Sequence, residues 1–288
     1  MKQTIGIIGQ GFVGSAVREG MQNYYNVVAY DKDPNKFSNA ESILDVVSKT
    51  KMTFLCVPTP MRASGQCDLR ILRLALDEIS ASAQTENYIV VIKSTIPPGT
   101  TEQLNTEYSN LDIVFNPEFL TEANAVEDYK NQNRIIIGGD RPSSTYVKQI
   151  FAKAFPKVPI IKTSSTIAET IKYVTNTFLS MKVSYANEIY QICKSLDIDY
   201  DKVIEYARYD ERLGNSHWSV PGPDGDFGYG GHCFPKDMTA LRYIASQMPV
   251  ATPTLDGASK TNSNVRKDLD WEEQEGRAVI NTKVEAKI

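Results

Sequence analysis

Residues 4–14 read Thr4-Ile5-Gly6-Ile7-Ile8-Gly9-Gln10-Gly11-Phe12-Val13-Gly14. The apolar run 4–8 has the length and branching of a buried strand, and the glycines after it are spaced as in a dinucleotide-binding turn. Gly9 permits the tight turn, Gly11 lets the backbone approach a pyrophosphate, and Gly14 allows strand and helix to pack closely. A helix opening there presents free amides and a partial positive charge to the phosphates. Asp31 ends the next apolar run, 20 residues beyond Gly11. A carboxylate at that place bonds both ribose hydroxyls and repels a 2′-phosphate, which favours NAD over NADP.

Outward from this unit the alternation repeats. Apolar runs at 26–30, 52–57, 88–92, 112–115, 134–138 and 158–162 read as strands, with helices at 12–23, 68–83, 99–108 and 143–154. Near-continuous apolar strands alternating with helices predict an α/β fold, a Rossmann-type doubly wound parallel sheet covered on both faces. From Ser164 the texture changes. Residues 165–195 hold a helical pattern without Gly or Pro, and Thr166 and Glu169 are spaced as a capping box. Such a helix exceeds about 40 Å and can link two domains or two subunits. Shorter helices at 199–209 and 236–247 flank a Gly/Pro-rich loop at 214–231. The expected organisation is a NAD-binding domain over 1–163, an all-helical central domain over 164–268 entered by the long connecting helix, and a charged tail over 269–288.

The composition, 41% hydrophobic and 23% charged in 288 residues, is that of a soluble globular chain of one or two domains. A net charge of -4 and the lack of a Lys/Arg block give no support for a nucleic-acid partner. No apolar stretch approaches the ~20 residues that cross a bilayer, and Met1-Lys2-Gln3 runs straight into a strand without signal-peptide character. Cys56, Cys67, Cys193 and Cys233 are scattered without a CxxC pair, and His217 and His232 alone offer no zinc-site pattern, so no metal is expected. A reducing cytoplasm suits this cysteine usage.

Cys233 sits in Gly228-Tyr229-Gly230-Gly231-His232-Cys233-Phe234-Pro235-Lys236-Asp237. A core cysteine beside a flexible loop is the plain reading of a lone thiol. Here the glycines open backbone amides to a ligand, and the nearby lysine favours a thiolate. The surroundings favour a nucleophile.

Together with the glycine turn, this run resembles the UDP-glucose/GDP-mannose dehydrogenase family. Further stretches resemble it in the family's order. They are Val57-Pro58-Thr59-Pro60 with Gly65, Asp68 and Leu69; Lys93-Ser94-Thr95-Ile96-Pro97-Pro98-Gly99-Thr100-Thr101; Asn116-Pro117-Glu118-Phe119-Leu120-Thr121-Glu122; and Ala168-Glu169-Thr170-Ile171-Lys172-Tyr173-Val174-Thr175-Asn176, continued by Ala186-Asn187-Glu188-Ile189. Ala123 departs from the family, which more often has Gly there. The resemblance covers residues 1 to about 245.

What the resemblance implies is an NAD-dependent, four-electron oxidation of a primary alcohol on a nucleotide sugar. Cys233 would trap the aldehyde as a thiohemiacetal, and loss of a second hydride would give a thioester for water to hydrolyse. Lys172 and Asn176, four apart on one helix, would stabilise the developing oxyanion, with Lys172 also a candidate for proton transfer. Asp237 would hold or activate a water, Glu118 would do acid–base work, Glu122 would order water near the nicotinamide, and Thr95 would complete the polar cluster. The candidate cofactor set is Gly9, Gly11, Phe12, Val13, Gly14, Asp31, Lys36, Val57, Thr59, Ser94, Thr95 and Glu122. The candidate substrate set is Glu118, Phe119, Leu120, Lys172, Asn176, Arg212, Tyr229, Gly230 and Gly231, with His232 left as lining.

Arg212 falls where family members place an arginine near the substrate, sometimes across a dimer interface. The run 228–231 and Asn264-Val265-Arg266-Lys267 look more like members acting on UDP-glucose than on GDP-mannose. Loop 219–227 has turn chemistry suited to wrapping the sugar or its diphosphate. UDP-glucose is the expected substrate and UDP-glucuronate the product. Within the family the alternatives are UDP-N-acetyl sugars and GDP-mannose, and outside catalysis an NAD-binding module without turnover. In the family the long helix normally forms a dimer core, so the resemblance implies a homodimer through helix 165–195. Family members continue into a further Rossmann-like domain, and nothing after Asp268 reads as alternating strands and helices. A short form is therefore expected, with the uridine end of its site lacking the usual cover.

Overall fold

The computed structural model describes residues 2–280. Its first part alternates strand and helix: β1 (Thr4–Ile8), α1 (Phe12–Met21), β2 (Asn26–Tyr30), α2 (Ile43–Lys49), β3 (Met52–Leu55), α3 (Arg70–Ser82), β4 (Tyr88–Ile92), α4 (Thr100–Glu107), β5 (Leu111–Phe115), α5 (Ala125–Lys130), β6 (Ile135–Gly138), α6 (Ser143–Ala154) and β7 (Ile160–Thr163). One seven-stranded sheet runs in the order β2-β1-β3-β4-β5-β6-β7. Neighbours are parallel except β5 and β6, which pair antiparallel at Phe115 and Gly138. This is the Rossmann-type sheet that the apolar runs predict.

Period-two alternation sends side chains to both faces. Ile5 and Ile7 join Ala16, Val17, Met21 and Phe151 on one side, and Ile8 joins Val46, Leu72, Leu76 and Leu104 on the other. Helices therefore cover both faces, as a parallel sheet requires. The helices α2 and α5 add to the sequence pattern. They are short, and α2 starts where the Ser42 hydroxyl accepts the Asp45 amide at 3.1 Å. Strand order reverses between β1 and β3, so the carboxyl ends of those strands frame the crevice where such sheets bind ligands.

By contacts the chain divides into two compact units. The first is the chain up to Thr59 with Leu69–Lys172, and the second is Pro60–Asp68 with the chain from Tyr173 onward. α7 (Ser165–Ser195) is unbroken over 31 residues and passes from one into the other. The Thr166/Glu169 capping box does not form. Ser164 Oγ accepts the Ile167 amide at 3.3 Å instead. Glu169 accepts from the Gly99 and Thr101 amides at 2.6 and 2.8 Å, capping α4 with a fully buried carboxylate.

The second unit contains α8 (Tyr200–Ala207), α9 (Cys233–Ser246) and α10 (Pro253–Val265), with Ala186, Cys193, Tyr200, Ile204, Trp218 and Val220 as its core. α9 begins at Cys233, three residues earlier than the pattern suggests. Pro235 lies in its first turn, where a missing N–H breaks no helical bond. The charged tail contributes to this unit: Ala278 and Ile280 are buried, and their backbone groups bond Met61 at 2.8 and 3.0 Å. Residues 281–288 of that tail lie outside the described residues.

Candidate active site

In the glycine turn, Gly9 has φ +90, and a Cβ there would stand 2.6 Å from the Cys56 carbonyl oxygen. A Cβ on Gly14 would overlap the carbonyl oxygen of Gly9, so this glycine admits the turn itself against the first turn of α1. At Gly11 a Cβ would meet nothing within 4 Å, which leaves the open approach a pyrophosphate needs. Asp31 aims at the same loop. Its Oδ2 accepts the Gln10 amide at 2.5 Å and its Oδ1 the Asp33 amide at 2.8 Å. Phe12 and Val13 form the first turn of α1 and pack on the core of that face. The ends of β3 and β4 are tied by Ser94 Oγ to the Val57 carbonyl at 2.5 Å and Thr59 Oγ1 to the Thr95 carbonyl at 2.7 Å. Lys36 is exposed in the turn after β2, with its amide on the Asp33 carbonyl.

Beyond β5 the first unit buries a second polar group. Lys172 Nζ donates to the Glu118 carbonyl at 2.6 Å and to its Oε1 at 2.8 Å, both side chains almost without exposure. Glu118 Oε2 accepts the Leu120 amide at 2.7 Å. Burial raises the Glu118 pKa, but Lys172, the Leu120 amide and Lys93 together hold it below the usual carboxylate value. Phe119 lies under two cations, with Arg134 4.1 Å and Lys172 5.6 Å from its ring centre. Lys93 donates to Asn116 Oδ1 at 2.6 Å, and burial pushes its pKa down to about 8. A cavity of about 290 Å³ opens among these groups, lined by Lys93, Glu118, Phe119, Leu120, Tyr129 and Arg134 among others.

In the second unit Cys233 is the first residue of α9, half-buried, its Sγ 3.3 Å from His232 Nε2. The helix N-terminus places partial positive charge at the sulfur. One turn on, Asp237 is 1% exposed. Its Oδ1 accepts from Lys236 Nζ and its Oδ2 from Asn176 Nδ2, both at 2.6 Å. Burial opposes the Lys236 charge, yet Asp237, Cys67 and Cys233 hold the ammonium above an ordinary lysine. Tyr229 is buried edge-on to Phe234, and Gly231 has φ +66.

The structure thus joins Glu118 with Lys172, and Asn176 with Asp237. It separates Glu118 from Glu122 in environment: the first is buried, the second exposed in a 3₁₀ turn over Glu122–Asn124. Arg212 is exposed, its guanidinium on the Asp210 carboxylate at 2.5 Å within one turn. The sequence places Lys93 and Asn116 in the family-like runs but assigns neither a role; the fold pairs them in the interior. Sequence reasoning passed over Asn262, Arg266 and Asp270 as partners of the 228–231 run. Among the described residues, no group of three or more His, Cys, Asp or Glu is arranged for a metal.

Residues 27–155 match the model of the UDP-glucose/GDP-mannose dehydrogenase family, NAD binding domain, and residues 166–264 match the same family's central domain. A UDP-glucose 6-dehydrogenase of Rickettsia bellii is 30% identical over 90% of this chain and 66% of its own length. A GDP-mannose 6-dehydrogenase of Pseudomonas aeruginosa is 32% identical over 83% of this chain and 57% of its own. The solved structure of a UDP-glucose dehydrogenase from Pyrobaculum islandicum aligns with a TM-score of 0.83 at 28% identity, over 92% of this chain and 68% of that one. The chain spans 57% to 66% of the length of these two curated relatives. The cofactor of the first unit is NAD.

Proposed function

Because the chain belongs to the UDP-glucose/GDP-mannose dehydrogenase family, we propose that it oxidises UDP-glucose to UDP-glucuronate in two NAD-dependent steps on Cys233. The observation that carries this reading is the thiol at the start of α9 with Lys236 and the Asp237–Asn176 pair one turn away. NAD, when bound, takes up the hydride of each oxidation. Its pyrophosphate is held by the 9–14 turn and its ribose by Asp31; Val57, Thr59, Ser94 and Thr95 border the same crevice.

The residues of the chain carry the rest. The alcohol loses a hydride and a proton to give the aldehyde, with Lys172 holding the negative oxygen and Glu118 receiving the proton through it. The Cys233 thiolate then adds to the carbonyl carbon, the C=O π pair becomes an oxyanion that takes the proton back from Glu118 through Lys172, and the new C–S bond leaves a thiohemiacetal. A second hydride and the hydroxyl proton depart to give a thioester, with Asn176 and Lys172 on its oxygen. Water adds to that carbon as Asp237 takes its proton, the C–S bond breaks, and the carboxylate leaves with the thiolate restored. Glu122 and Arg212 sit exposed and are assigned to the substrate-bound state, as are Phe119, Leu120, Tyr229, Gly230 and Gly231 as contacts.

UDP-glucose is preferred over GDP-mannose because the 228–231 run and the likeness to the Rickettsia and Pyrobaculum UDP-glucose dehydrogenases support it. The Pseudomonas relative supports GDP-mannose at similar identity. A panel of UDP-glucose, UDP-N-acetyl sugars and GDP-mannose, read by NADH absorbance and product mass, tests the choice. The expected result is a kcat/KM at least about tenfold higher for UDP-glucose. A higher value for GDP-mannose overturns the substrate, and NAD binding without turnover on any sugar overturns the enzyme.

Val174, Phe178, Tyr185 and Ile192 recur at four and seven residues along α7 and are 58%, 62%, 54% and 53% exposed. Such a seam fits a second copy of the same helix, which supports a homodimer as the working form. Light scattering on Phe178→Glu should report a monomer, and an unchanged dimer mass contradicts the seam. No disulfide joins the four cysteines, which supports a reducing cytoplasmic setting, and no described helix is long and apolar enough to cross a membrane.

A further inference from the structure

Behind the Cys233 loop lies an arginine that the reaction does not use. Arg266 ends α10 with its side chain 2% exposed. Its Nη1 donates to Asp224 Oδ2 at 2.6 Å, its Nη2 to Asp270 Oδ1 at 2.9 Å, and its Nε to the Asp268 carbonyl at 2.7 Å. Asp226 Oδ2 stands 3.8 Å from Nε. The other oxygen of Asp270 accepts the Gly231 amide at 2.8 Å. One continuous bridge therefore runs from the guanidinium through Asp270 to the backbone two residues before Cys233.

The contact is close as well as polar. A Cβ at Gly230 would overlap both Arg266 Nη2 and Asp270 Oδ1, so the cation and its carboxylate occupy the space of a side chain. One turn earlier on α10, Asn262 accepts the Tyr229 amide at 2.7 Å and donates to the Tyr229 carbonyl at 3.1 Å. An exposed arginine would serve a helix C-terminus equally well. Burying it is favourable only with a full set of fixed acceptors, and a planar fork then holds those acceptors in fixed directions. Here the acceptors belong to two separate stretches of chain, 224–226 and 268–270, that meet at Arg266 beside the 228–231 run.

We propose that Arg266 and Asp270 are positioning residues for Cys233, fixing residues 230–231 and, through them, the sulfur at the first turn of α9. Its effect on turnover rests on the catalytic reading of Cys233 above; its effect on the thiol's own reactivity does not. Addition of sulfur to a carbonyl needs near-attack geometry, and a shift of about 1 Å lowers such a rate about a hundredfold. The first hydride departs without the sulfur, so aldehyde formation is spared, and substrate binding changes only as far as its Gly230 and Gly231 contacts shift.

The test compares the full chain with Arg266→Lys, which keeps the charge but loses the fork, and Asp270→Asn, which sets an amide against the guanidinium. Folding is checked by thermal melting. Alkylation of Cys233 by iodoacetamide is followed by peptide mass spectrometry from neutral to alkaline pH, with the buried Cys193 as reference in the same digest. Both variants should alkylate Cys233 roughly tenfold more slowly at neutral pH, with the profile displaced to higher pH as the sulfur leaves the helix N-terminus. Complete oxidation should fall about a hundredfold while KM moves no more than a few-fold. Alkylation profiles that superimpose on the wild type overturn the proposal, whatever activity does. If the wild type oxidises no sugar nucleotide and the profiles still move, the function above fails and the positioning role stands. Should neither variant fold, Gly230→Ala, which displaces Arg266 without removing a charge, is read by the same profile and decides.

Discussion

Lys93 in the first unit and Lys236 in the second are both nearly inaccessible, 3% and 6% exposed, yet their charges are set in opposite directions. Lys93 donates to a neutral amide, Asn116, has Lys172 as a like charge nearby, and is pushed down to about 8 by burial. Lys236 donates to Asp237, and that carboxylate with two thiols overcomes burial and holds the ammonium. The partner, more than the depth, decides whether a buried lysine stays charged. The first unit thus carries a cation able to give up its proton near neutral pH. The second keeps a permanent one beside its thiol.

The largest test of that contrast removes the partners. Asp237→Ala strands a buried ammonium and the Asn176 amide and should cost about 3–5 kcal/mol in urea unfolding at neutral pH. Asn116→Ala should cost only about 1–3 kcal/mol, because Lys93 can become neutral. Equal losses would contradict the contrast. A smaller effect is its pH dependence. Lys93 is held at about 8 when folded against 10.5 when exposed, so between those values the unfolded chain binds the extra proton and stability rises with pH. Lys236, raised above 10.5, contributes in full up to that value and loses its contribution only at higher pH. The stability of wild type relative to Lys93→Met should therefore grow from pH 8 upward; a flat difference would mean that Lys93 keeps its proton. Smallest, Asp31→Ala should narrow the preference for NAD over NADP by about tenfold in KM, some 1.4 kcal/mol, without altering the thiol.

The two units were also unequally legible in the sequence. The sheet could be read because strands such as 88–92 are continuously apolar and the glycine turn carries its own spacing; each signal is local. In the second unit α10 escaped notice, since Thr254, Ser259, Thr261, Asn262 and Ser263 are weak helix formers and the helix buries little beyond Ala258 and Asn262. Arg266 gave only a cation near Asp268 and Asp270, with Asp224 and Asp226 some forty residues away; convergence of that kind has no local signature. Thr166 and Glu169 taught the converse. A correct local spacing was overridden because the Gly99 and Thr101 amides offered Glu169 a better use. The pairing of Glu118 with Lys172 joined two residues already singled out, whereas Lys93 entered the candidate site only through the fold.

The account turns on the sulfur of Cys233, and counting reducing equivalents tests it most directly. With UDP-glucose limiting and NAD in excess, the wild-type chain should release two NADH per sugar and yield UDP-glucuronate. Cys233→Ala should stop short of the carboxylate, with turnover to product down by at least about a thousandfold. Two NADH per sugar at the wild-type rate from Cys233→Ala would contradict it.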